Sequence, residues 1–189
     1  MLELVALTSD AEAGRQLADD LGGTSYRNHD GEHDRRPYSG MVRVATDRIE
    51  PLRAVADVGL FTAFARLVKA PEGAPSPDRV VCSFGLVANP DLGHGAADDH
   101  WRDRHGPLAL RSHSAMCDYT QLSIVAVHHG LALDGIALCA FDSRQDARER
   151  FYDDDDARAA IEADVAQFAD LRNSPRRVVL VENDPGSAA

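Results

Sequence analysis

The chain has 189 residues and a formal net charge of −11 at pH 7, enough length to bury one sizeable core or two small ones. A surface this negative disfavours nucleic-acid phosphates and anionic membranes as partners. Hydrophobic residues at 44% and charged residues at 27% exclude a disordered chain.

Segment 1–7 is too short and too acidic for a secretory signal, and no apolar run approaches the about 20 residues of a membrane span. Cys82, Cys117 and Cys139 each lie in an apolar run without paired spacing, which argues against disulfides or a zinc site. They read as small buried hydrophobes. The expectation is a reduced, cytoplasmic protein.

Residues 2–7 read as a strand, and Ser9-Asp10 caps a helix that runs to Leu21 and stops at Gly22-Gly23. A short strand over 24–27 enters a polar loop, 28–40. Residues 41–45 form a strand, 49–58 a helix and 60–69 an extended segment. The proline-rich stretch 70–77 then marks an internal boundary. The same order repeats beyond it: a strand over 80–88, a helix over 96–111, strands over 115–127 and 135–141, one long helical region over 144–171, and a strand over 177–181.

Two β-α-β-β-α-β units in succession predict an α+β protein with a duplicated ferredoxin-like fold. The units span 1–74, a degenerate N-terminal repeat, and 75–184, with 185–189 a disordered tail. Val125-Ala126-Val127 and Ile136-Ala137-Leu138-Cys139-Ala140-Phe141 are apolar at both alternating positions, as strands buried on both faces are. The two halves are therefore expected to close into a pseudo-dimeric α+β barrel.

The segment from His100 to Arg111 concentrates the chemistry. At 100° per residue, Trp101, Ala97, His105 and Leu108 share an apolar face, with His100, Arg104 and Arg111 on its shoulder. Pro107 predicts a kink just after His105. Downstream, Ala157, Ile161, Val165 and Phe168 define a second buried helix face with Asp164 on its edge. Packed side by side, the two helices would bring Asp164 to His105, as an oriented base, or to Arg104, as a structural ion pair.

His100-Trp101-x-x-x-His105-x-Pro107-Leu108, Asp118-Tyr119-Thr120-Gln121, Asp134-Gly135-Ile136-Ala137, Arg150-Phe151-Tyr152 and Asp164-x-x-x-Phe168 together resemble the EthD family. The resemblance runs from about Val80 to Glu182 and implies the dimeric α+β barrel superfamily fold. His100, Trp101, His105, Tyr119, Gln121 and Asp164 match recurrent polar positions of that family. Where members continue with Asn-His, this chain has Leu122-Ser123.

The resemblance implies a small-molecule enzyme acting on a hydrophobic or aromatic metabolite. His105, Asp164 and His100 are the candidate catalytic residues, and Trp101, Arg104, Tyr119 and Gln121 the candidate substrate contacts. Cofactor-free dehydration, cyclisation, decarboxylation or isomerisation is the leading chemistry. A haem-dependent or cofactor-free oxygenase and an auxiliary binding protein for a partner oxygenase are the alternatives, and a homodimer is an open state.

Four other signals are set aside. His29-Asp30-Gly31-Glu32-His33-Asp34 reads as a solvated loop without metal, and His128-His129 as an exposed turn. Asp153-Asp154-Asp155-Asp156 reads as a helix N-cap with surplus charge, and Ser112-His113-Ser114 lacks the partners of a hydrolase triad.

Overall fold

Strands that are apolar at every position need cover on both sides, and the chain supplies it by closing a sheet on itself beneath helices. The computed structural model describes residues 1–29 and 36–183. Its elements are β1 (Leu2–Thr8), α1 (Ala11–Leu21), β2 (Thr24–Asn28), β3 (Gly40–Val44), α2 (Ile49–Arg53), β4 (Gly59–Lys69), β5 (Val80–Leu86) and α3 (Gly93–His100). A π-helical segment (Trp101–His105) runs directly into α4 (Gly106–Ser112), followed by β6 (Met116–Gly130), β7 (Gly135–Phe141), α5 (Arg144–Glu149), α6 (Asp155–Phe168) and β8 (Val178–Glu182).

The strands close a barrel in the order β1-β3-β2-β8-β5-β7-β6-β4, and every neighbouring pair is antiparallel. The first four strands lie as β4-β1-β3-β2 and the last four as β6-β7-β5-β8. The seams between these sets are β4–β6 and β2–β8.

Alternation along each strand divides the core into layers. In β7, Ile136, Leu138 and Ala140 fill the barrel with Val5, Leu7, Met41 and Phe61. Ala137, Cys139 and Phe141 point the other way, under the C-terminal helices. In β1, Leu4 and Ala6 meet Ala18, Leu52 and Ala56 under α1 and α2. Asp10 caps α1 by accepting from the amides of Glu12 and Ala13, and Gly22, at φ 65°, ends it in the left-handed region that suits glycine.

Several expected elements differ. The helix predicted over 49–58 ends at Arg53, because the Val58 amide donates to Leu7 and the Asp57 carboxylate accepts from Ser9, which draws the chain into β4. The single helix predicted over 144–171 is two. Asp154 caps α6 by accepting from the Ala157 amide at 2.7 Å, so the aspartate run starts a helix and does not sit within one. His128 lies inside β6, 2.8 Å from Thr62 Oγ1 through Nε2, and is not in a turn.

Val125 and Val127 are 57% and 46% exposed, against the expectation of burial on both faces. There β6 passes beyond the covering helices along β4, with bulges in the pairing. The segment read as a solvated loop, His29 to Asp34, lies outside the described residues apart from His29, as does segment 185–189. Cys82 and Cys139 are buried and Cys117 is half-buried, all as free thiols. Among the described residues no helix is long and apolar enough to cross a membrane.

Gly135 lies directly under the Trp101 ring, and a Cβ there would stand 2.5 Å from ring carbon Cζ3. Gly135→Ala is expected to lower stability by about 1–3 kcal/mol in urea denaturation. Gly95→Ala, in α3 with nothing within 4 Å, is expected to be neutral or slightly stabilising.

Candidate active site

Pro107 has no amide hydrogen, so the helical ladder cannot continue unchanged through it. The chain answers with the π segment, in which the Gly106 amide donates to Trp101 O. Gln121, fully buried on β6, donates its Nε2–H to the same carbonyl at 3.1 Å and to the Tyr119 hydroxyl at 3.1 Å. Trp101 is itself buried, and its indole N–H reaches Tyr119 Oη at 3.0 Å. Arg66 lies over its ring at 5.6 Å and is held there by a two-pronged pair with Asp98 at 2.6 and 2.8 Å.

The π segment turns His105 toward α6. His105 Nδ1–H donates to Asp164 Oδ2 at 2.9 Å, and His100 Nε2–H donates to Asp164 Oδ1 at 2.8 Å. A carboxylate can only accept, so these bonds fix both tautomers and leave His105 Nε2 as a lone pair. Phe168 packs against both rings, at 5.1 Å from His100 and 5.2 Å from His105. Burial lowers the pKa of His105 below 6.5 even though Asp164 pulls it upward, so the ring is neutral near pH 7.

His105 opens onto a cavity of about 440 Å³ between the outer face of β5–β7–β6 and the helices. Trp101, Tyr119, Phe84, Phe151, Tyr152 and Phe168 supply aromatic wall, and the exposed Glu162 and Arg176 stand at its solvent edge. This is the size and apolar character of a small-ligand site. The Tyr119 hydroxyl accepts from both Trp101 and Gln121, and neither bond uses its own hydrogen. Burial raises the Tyr119 pKa far above that of a free phenol, which keeps that hydrogen in place.

Of the residues singled out from sequence, His105, Trp101 and Tyr119 line the cavity. Asp164, His100 and Gln121 stand behind them: the first bonds His105 and the last bonds Trp101 and Tyr119. Arg104 is exposed and is not among the cavity-lining residues, and Asp164 bonds His100 and His105 in place of it.

Phe151 and Tyr152, named above only as part of the resemblance, and His113, weighed only as a triad member, also line the cavity. Their signal was present for His113. Trp101, His105, Ala109 and His113 recur every fourth residue, the ridge spacing of a helix, and all four line the cavity. Among the described residues no group of three or more His, Cys, Asp and Glu is arranged to hold a metal ion.

A closed antiparallel barrel with external helices, and an aromatic-walled cavity beside a carboxylate-tethered imidazole, define an α+β-barrel protein. Residues 89–172 match the family model of the EthD domain. The matched span contains His100, Trp101, His105, Tyr119, Gln121 and Asp164.

Solved structures share the fold along nearly the whole chain. A protein described as "anthrone oxidase-like" is 16% identical at a TM-score of 0.57, over 100% of this chain and 95% of the other. A "putative monooxygenase" from Lactobacillus acidophilus is 10% identical at 0.54, over 96% and 92% of the two chains. Another from Fusobacterium nucleatum is 6% identical at 0.57, over 97% and 92%. A comparison with curated proteins gave no match.

His113 shares the depressed pKa of His105, again chiefly through burial. Both rings are held neutral in the folded protein below 6.5, so on acidification the unfolded chain takes up protons first. Stability is therefore full above about pH 6.5 and declines as pH falls through the lowered folded values. The urea midpoint is expected to drop between about pH 7 and about pH 5, above the carboxylate range. A His105→Gln/His113→Gln double variant is expected to flatten that dependence.

Proposed function

We propose that this EthD-domain protein is a small-molecule enzyme that binds a flat, largely apolar aromatic ketone and uses His105 as general base. The observation that carries the reading is one imidazole with Nδ1–H on Asp164 and Nε2 facing an apolar, aromatic-walled cavity. In the step proposed, an acidic C–H bond conjugated with the ligand carbonyl breaks. The proton goes to His105 Nε2, and the electron pair moves to the carbonyl oxygen as an enolate. Tyr119 donates its hydroxyl hydrogen to that oxygen, and Asp164 stabilises the imidazolium. Return of the proton to another atom is an isomerisation. Loss of a β-hydroxyl as water, or ring closure onto an internal electrophile, would start from the same enolate, and loss of carbon dioxide from a β-keto acid would generate that enolate in place of the C–H step.

The barrel is proposed to be a fused pair of ferredoxin-like units, residues 1–74 and 75–184, meeting at the 70–77 connector. The matching orders β4-β1-β3-β2 and β6-β7-β5-β8 support this division. The cavity and every cavity-lining residue belong to the second unit.

A second reading, cofactor-free oxygenation, begins with the same deprotonation and then consumes molecular oxygen. The description of one structural neighbour as anthrone oxidase-like and of two others as monooxygenases favours it. A haem fits the lining less well. His105 Nε2 has the donor chemistry of an axial ligand, but the two propionates would find one guanidinium, Arg176, beside the carboxylate of Glu162.

Anthrone, a tricyclic ketone with an acidic C–H, is the probe suggested by the first neighbour's name. The protein is expected to speed exchange of that hydrogen in D₂O, followed by proton NMR. His105→Gln should slow the exchange by about 100-fold or more while ligand binding persists. The rate should fall as pH descends through the lowered His105 pKa, because only the neutral ring accepts a proton. Oxygen uptake accompanying exchange would select the oxygenase reading, and binding without exchange the auxiliary one. A Soret band that shifts in the His105 variant would replace base chemistry with axial ligation.

A further inference from the structure

His113 enters the cavity two steps of four residues beyond His105, with Ala109 between them. Its Nδ1 contacts the Phe151 carbonyl oxygen, which can only accept, so Nδ1 carries the hydrogen and Nε2 carries a lone pair. The ring is 4% exposed and clamped by Phe151 at 4.8 Å and Tyr152 at 5.2 Å. Nε2 has no hydrogen-bond partner among the described residues. His113 is a cavity-lining residue, and the unbonded Nε2 is the one polar side-chain atom it has to offer there.

We infer that His113 forms an acceptor subsite that selects ligands carrying an aromatic hydroxyl. The inference rests on the proposed use of this cavity as the ligand site and adds a substrate class to it. The rings of Phe151 and Tyr152 pack against His113, and Ala109 and Phe84 also line the cavity. A desolvated lone pair among carbon atoms penalises a ligand that brings no donor and rewards one that does. Burial also lowers the His113 pKa, which keeps the ring neutral and the lone pair free near pH 7.

Both imidazoles line the same cavity, with the small Ala109 between them in the every-fourth-residue series, and the inferred ligand spans the two. His105 then faces the acidic C–H, and His113 holds the hydroxyl at the other end. The two imidazoles divide the work, one moving a proton and the other reading a substituent. Hydroxyl recognition at His113 involves no net proton transfer. His113 is a specificity residue and His105 the catalytic one.

The test is calorimetric binding of 2-naphthol and of its methyl ether, 2-methoxynaphthalene, which match in shape and differ in the donor. The wild-type protein is expected to prefer 2-naphthol by about tenfold. His113→Phe should bring that ratio to about one while keeping affinity for the ether, and His105→Gln should leave the ratio unchanged. On the wild-type protein alone, the ¹⁵N resonance of His113 Nε2 should move on adding 2-naphthol and stay put on adding the ether, which guards against a variant that misfolds.

Equal affinity for the two probes, or a preference that survives His113→Phe, overturns the subsite and leaves the His105 chemistry standing. Failure of the wild-type protein to bind either probe overturns both. Loss of anthrone exchange with the naphthol preference intact overturns only the catalytic reading.

Discussion

The missing amide hydrogen of Pro107 organises the functional half of this protein. A regular helix cannot pass a proline without losing a bond, and here the loss is absorbed by one wide turn. That turn leaves the Trp101 carbonyl in reach of Gln121 and swings His105 against α6. The indole, the phenol of Tyr119 and the amide of Gln121 then lock to one another under the helix. Local backbone chemistry thus sets the orientation of three side chains from two different elements, before any ligand is present.

The electrostatics follow from this geometry. A carboxylate at the edge of an apolar helix face is costly unless its oxygens are bonded, and Asp164 meets that demand with one imidazole on each oxygen. The same bonds leave His105 one outcome only, a lone pair aimed away from the carboxylate. Burial outweighs the pull of Asp164 and keeps the ring uncharged. The pairing supplies orientation and the apolar surroundings supply neutrality, and a base working near pH 7 needs both.

Much of this was legible in the sequence, for identifiable reasons. Ile136 to Phe141 read as buried on both faces because a barrel interior takes one set of side chains and helices take the other. The same argument misled for Val125 and Val127, since a strand's own pattern does not reveal where its covering helices stop. Asp164 stood out as a carboxylate on an apolar stripe. His113 did not, because its partner is the backbone carbonyl of Phe151, and a backbone acceptor leaves no trace in residue type. Arg104 was misplaced by the assumption of a constant 100° step, which the π segment breaks. The helix break at 150–154 was encoded by the aspartate run, whose role as a cap was recognised while its consequence for chain direction was not.

The chain contains a single tryptophan, and it is the wall of the cavity. Light emitted by the indole of this protein therefore comes from one place. Its colour reports the polarity of the space beside His105, and its quenching reports contact with the Tyr119 and Gln121 network. An unfolding curve followed by this emission records when the α3–α4 layer leaves β6 and β7. It is silent about the core beneath α1 and α2, so comparison with far-ultraviolet circular dichroism separates the loosening of the two halves without a label.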